Sequence, residues 1–121
     1  MKIFTTHEIR EAWAHAAAGG QALHLMTGEW AKGWGGPACF RRAAAAGEAF
    51  AHLFDQSPAR LTFTAIQLGV RRVFIHHEGT DRQHVDLCGG PLRRAIRQAE
   101  AEDAEQAKSL FPLSGFSPKG P

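Results

Sequence analysis

The spacing of apolar residues switches along the chain between a helical and an extended period. Ile9, Trp13 and Ala16 or Ala17 share one helical face behind a Thr5…Glu8 pair at capping-box spacing, and Gly19-Gly20 closes that helix. In "QALHLMT" the period drops to two, with Ala22, His24 and Met26 on one face and Leu23 and Leu25 on the other, which predicts a short strand. "GEWAKGWGGP", residues 28–37, is glycine-rich and reads as a loop carrying Trp30 and Trp34. A second helix follows, with Pro37 in its first turn and a stripe of Cys39, Ala43, Ala46, Phe50, Leu53 and Phe54. A third helix is marked at both ends: Ser57 as N-cap, Pro58 at the first helical position and Gly69 at the close, with Leu61, Ala65 and Leu68 inward.

"RRVFIHH" is apolar on both faces and reads as a central strand. After a turn at Glu78-Gly79-Thr80, "QHVDL" is a further strand or extended edge. Gly89-Gly90-Pro91 then opens a last helix bearing Leu92, Ile96, Ala99 and Ala107. The predicted fold is mixed α/β, in the order α-β-α-α-β-(β)-α: a small sheet of two to three strands packed by about four helices. Residues 1–111 form one domain and 112–121, rich in proline and glycine, a flexible tail. With parallel main strands, the loops 27–36 and 77–83 would lie at the favoured binding edge.

Composition narrows the class. At 121 residues, 44% hydrophobic and 21% charged, the chain has the make-up of a soluble globular protein. Its net charge of +2 is too small to nominate a polyanionic partner. The start "MKIFTTHEIREAW" has no apolar signal region and no stretch is long enough to cross a membrane, so a cytoplasmic protein is expected, with Cys39 and Cys88 as reduced thiols. Seven histidines are many for this length, although scattered histidines are more often structural or surface residues.

The chemistry-bearing residues fall in three groups. On an extended segment His84 and Asp86 project to the same face, where the carboxylate can fix the imidazole's tautomer or share a metal with it. His76 or His77 could join them from the preceding strand, but not both, since they face opposite ways. The metal set is then His76, His84 and Asp86; the bland alternative has Asp86 bracing the turn into Gly89-Gly90. The second group is the helix start "GGPLRRAIR". Gly89 and Gly90 expose backbone N–H groups, and Arg93, Arg94 and Arg97 crowd an end that disfavours cations by about 0.3–1 kcal/mol each. An anion held by Gly89, Gly90, Arg93 and Arg94 would relieve that conflict, and so would acids elsewhere on the surface. In the third, Trp30, Lys32 and Trp34, extended by Arg41 and Arg42, make a partner-binding surface or else fold back as a plug over the core. Cys88, near His84 and at a helix N-terminus, is the one credible nucleophile, against the commoner reading of a buried small hydrophobe.

The second half, about residues 51–99, resembles a bacterial and phage family of small domains of unknown function. Its pattern has a His-Leu/Met pair before a helix, a Leu-Gly-Leu/Val that ends the helix, an Arg-x-aromatic strand and a His-Tyr-Asp-Leu/Ile segment leading into an Arg- and Ala-rich helix. The matching pieces are "HLFDQSPARL" (His52, Leu53, Leu61), "LGVRRVFI" (Leu68, Gly69, Arg72, Phe74), "HVDLC" (His84, Asp86) and "PLRRAIRQA". Val85 stands where the family has an aromatic, and only "ALHLMTGE" could stand for its N-terminal strand. The resemblance carries no activity; it implies that His52, His84 and Asp86 are the polar positions to watch.

Two functions are expected from these residues. The leading one is a small accessory protein of the phage or plasmid type. It would act without catalysis or cofactor by docking on a host protein, nucleoprotein or nucleic acid, as an inhibitor of a host defence system for instance. A homodimer contact would use the same kind of surface. The alternative is a small hydrolase acting on a phosphoester. There His84 and Asp86, with His76 or His77 and His52, would hold a divalent metal or act as base, and Arg93 and Arg94 would hold the anion. Neither reading calls for a membrane.

Overall fold

The computed structural model describes residues 1–26 and 38–110. Strands and helices alternate: β1 (Lys2–Phe4), α1 (Ile9–Ala17), β2 (Gln21–Met26), α2 (Ala38–Ala45), β3 (Phe50–Asp55), α3 (Pro58–Gln67), β4 (His84–Cys88) and α4 (Gly89–Leu110). The strands form one sheet in the order β1-β2-β3-β4, with β1 parallel to β2 and the other neighbours antiparallel. The α/β class is as the sequence implies; the sheet has four strands rather than two or three.

Helix ends follow local chemistry. Ser57 is the N-cap of α3, its hydroxyl accepting from the Arg60 N–H at 3.2 Å with Pro58 in the first turn, and Gly69 closes the helix at φ +95°. Of the expected capping box only one arm forms: the Glu8 carboxylate accepts from Thr5 N–H and Oγ at 2.8 and 2.9 Å, and α1 begins after Glu8.

Two expectations fail for physical reasons. The helix drawn through residues 37–54 stops at Ala45. Gly47 takes φ +71° and Glu48 N–H reaches back to the Ala43 carbonyl, a Schellman closure, after which "FAHLFD" runs as β3. "RRVFIHH" is not a central strand: Val73 and Ile75 lean on the core, but Phe74 is 67% exposed because no layer covers it. The run makes one bridge, His76 to His84, before His77 turns it away at φ +54°.

Alternation gives the sheet two faces. One carries Leu23, Ala51, Leu53, Val85 and Leu87 under Leu61, Ala65 and Leu68 of α3 and its C-cap and Leu92 and Ala95 of α4. The other is covered in two patches: α1 packs Ala12 and Ala16 on Phe4, Ala22 and Phe54, and α2 packs Phe40 and Ala43 on Met26 and Phe50. Between the patches the register aligns His24, His52 and Asp86 side by side across β2, β3 and β4. That polar row on an otherwise apolar face is where the chemistry lies.

Candidate metal centre

Asp86 sits at the end of the row with three imidazoles around its carboxylate. His52 Nδ1 donates to Oδ1 at 3.0 Å from the neighbouring strand. His76 Nε2 lies 3.0 Å from Oδ2, placed there by its bridge to His84. His84 Nε2 lies 3.3 Å from Oδ1, two residues along the same strand. Burial by itself would push the Asp86 carboxyl up; hydrogen bonds from His52 and His84 and their charges outweigh it and hold the group well below the usual carboxylate range. Asp86 is therefore an ionised carboxylate with only 11% of its side chain exposed.

The tautomers follow from the partners. The ionised carboxylate only accepts, so His52 carries its proton on Nδ1 and has its lone pair on Nε2. Burial depresses the basicity of His52 more than the carboxylate restores it, which favours the neutral ring. His84 Nδ1 is 2.8 Å from the Arg82 carbonyl, which can only accept, so Nδ1 carries the proton there. The other ring nitrogen, Nε2, is the one on the Asp86 side, 3.3 Å from Oδ1. A backbone carbonyl behind one ring nitrogen is also the support that metal-ligating histidines commonly have. His52, His84 and Asp86 each offer a ligand atom within 4.8 Å of the others, and the three can hold a metal ion.

Of the residues singled out in the sequence, His84, Asp86 and His76 converge. His77 does not join them: its ring stands 5.8 Å from that of His84, at the turn. Gly89 and Gly90 lie three residues or more beyond Asp86, about 10 Å along the strand direction, so the start of α4 is a separate place. There Arg94 Nη1 donates to the Leu68 carbonyl at 3.0 Å, and the bare Cα atoms of Gly69 and Gly90 make room for its guanidinium. Arg94 thus ties α4 to the end of α3, while Arg93 is exposed. Arg41 and Arg42 are exposed on α2, and Trp30, Lys32 and Trp34 lie outside the described residues. Cys88 is disulfide-bonded, not the reduced thiol expected, and so offers no thiolate nucleophile.

Sequence reasoning left out three residues beside the centre. His24 stacks on His52 at 6.2 Å between ring centroids. Trp13 of α1 lies under the Arg82 guanidinium at 3.8 Å, and both line a cavity of about 330 Å³ with His24, His52 and His84. The alternation of Ala22, His24 and Met26 did carry the signal for His24; Arg82 had none, because its position depends on the loop. That loop is fixed by Gln83, whose amide donates to the Asp55 carbonyl at 2.7 Å and accepts from Gly79 N–H at 2.9 Å.

No protein-family model matches the chain, and searches of curated proteins and of solved structures find no similar protein. Among the described residues no helix is long and apolar enough to cross a membrane.

Proposed function

We propose that the protein is a small metal-dependent hydrolase. Its centre is a divalent transition-metal site made by His52, His84 and Asp86, with His76 in reach as a fourth ligand. The supporting observation is the convergence of three imidazoles on one ionised carboxylate that is only 11% exposed. Imidazole and carboxylate together suit zinc, iron, cobalt or manganese, and three protein ligands leave positions for water and substrate. A metal there would lower the pKa of a bound water toward neutrality. His52, neutral and half-buried, would then be a ligand or a proton acceptor beside that water. A phosphoester is the substrate class favoured, with Arg82 at the adjoining cavity, rather than Arg93 and Arg94, as the cation near the scissile group.

Metal analysis of the untagged protein, purified without chelator, tests this. About one equivalent of a transition metal is expected, or uptake of one on titration, with loss in His84→Ala and Asp86→Asn. A folded wild-type protein that takes up no zinc, manganese, cobalt or iron would overturn the proposal.

A further inference from the structure

The segment between the end of α3 and the His77 turn matches β4 along its length but is joined to it at one point. His76 and His84 exchange both backbone hydrogen bonds, at 2.8 and 3.1 Å, and form a single bridge. Bonded pairs in an antiparallel ladder recur every second residue, so the next rung in that register pairs Phe74 with Asp86. Among the described residues that rung is not made. The side-chain faces agree with the register all the same. Val73 and Ile75 lean on the cluster that holds Val85 and Leu87, while Phe74 stands on the His76 side with its ring 4.7 Å from that imidazole. Such an alternation of branched and aromatic residues suits a paired strand. Yet Val73 and Ile75 are only half-buried, and Phe74 is 67% exposed. The edge of β4 is equally unfinished. His84 uses its backbone groups on His76, so those of Asp86, two residues on, point to the same open edge. Open edges of this kind are usually covered in native sheets.

We infer that residues 72–75 are a strap that closes on β4 as a fifth strand and covers the metal centre. In the closed form Phe74 N–H donates to the Asp86 carbonyl and Asp86 N–H donates to the Phe74 carbonyl, which brings the two Cα atoms to about 5.5 Å. The Phe74 ring then stands beside the Asp86 carboxylate on the histidine face and shields it from water. The strap is anchored at both ends, by the turn at Gly69 and by the His76–His84 bridge, so only the few residues between them move. His76 keeps its place at Asp86 throughout. Covering an ionised carboxylate with an apolar ring disfavours closing, whereas a cation paired with that carboxylate removes the penalty. Closing therefore follows occupancy of the centre. That coupling rests on the metal-centre reading; the fifth strand does not.

Hydrogen exchange of the Phe74 and Asp86 amides, followed by NMR on the full-length protein in EDTA and in excess zinc, tests the strap. Zinc uptake is measured on the same samples. In EDTA both amides are expected to exchange roughly threefold more slowly than in an unstructured chain, because the closed form is already populated. Bound zinc is expected to slow both by about a further tenfold. Phe74→Pro removes the N–H that the rung needs, at an exposed position outside the core. In that variant zinc uptake should persist while the Asp86 amide exchanges freely in both media. Protection of Asp86 that survives the proline would come from general stiffening and overturns the inference. So do wild-type rates that are the same with and without bound zinc. If the protein takes up no zinc, the metal centre falls and the EDTA rates alone decide. Joint protection of the two amides then keeps the strap, and free exchange at either one removes it.

Discussion

Two aspartates on adjacent strands, Asp55 buried and Asp86 half-buried, show how partner type separates structure from chemistry. Asp55, on the α3–α4 side of the sheet, accepts from Arg60 Nε and Nη2 at 2.8 Å each, from Ser57 N–H at 2.8 Å and from Gln21 Nε2 at 2.9 Å. A guanidinium and amides have no proton to trade, so this set braces β3 against α3. Asp86 has imidazoles, whose nitrogens exchange a proton for a metal. For Asp55, burial would push the carboxyl up, but the bonds from Arg60, Ser57 and Gln21 overcome it and lower the pKa. The folded value thus lies below the unfolded one, so the stabilisation is complete above about pH 4 and is lost as pH falls through the folded value. Asp55→Asn is expected to lower stability at pH 7 by about 2–3 kcal/mol, at or below the range for breaking a buried pair because Arg60 is 46% exposed. Urea denaturation from pH 7 down to pH 2 checks it: the gap between wild type and variant should close below pH 4. A gap constant across that range would show that the charge of Asp55 is not the source.

At the scale of elements, what was legible and what was not divides by how local the cause is. Ser57, Pro58 and Gly69 fix α3 through contacts within a few residues, and all three are visible in the sequence. β4 was legible for the same reason, as a short alternating run. β3 was not, because Phe50, Leu53 and Phe54 fit a continuing helical stripe as well as an alternating strand. The decision rests on Gly47, where the left-handed conformation suits glycine and ends α2. Without β3, His52 could not be set between His24 and Asp86, so the sequence suggested only half of the centre, while the resemblance flagged His52 without saying why. Gly47→Ala should destabilise the fold by about 1 kcal/mol, measured by chemical denaturation, with no change in the affinity for metal. "RRVFIHH" misled in the opposite direction: its composition suits a buried strand, yet whether Phe74 is covered depends on helices elsewhere in the chain.

At the scale of the whole molecule, the metal centre would join segments that the sheet alone holds loosely. Its ligands come from β3, from β4 and from the loop that meets β4 at the single His76–His84 bridge. No such arrangement of His52, His76, His84 and Asp86 persists in an unfolded chain, so metal binding must feed into folding stability. At a zinc concentration 100 times the dissociation constant, the gain is about 2.7 kcal/mol. For a chain of this size that raises the melting temperature by roughly 10 °C. Thermal melts of wild type in EDTA and in excess zinc should show that rise, while His84→Ala should melt at one temperature in both. Removal of His76 alone should leave a smaller but real shift, since the other three ligands remain together. If zinc moved wild type and His84→Ala equally, the ion would be binding at surface groups.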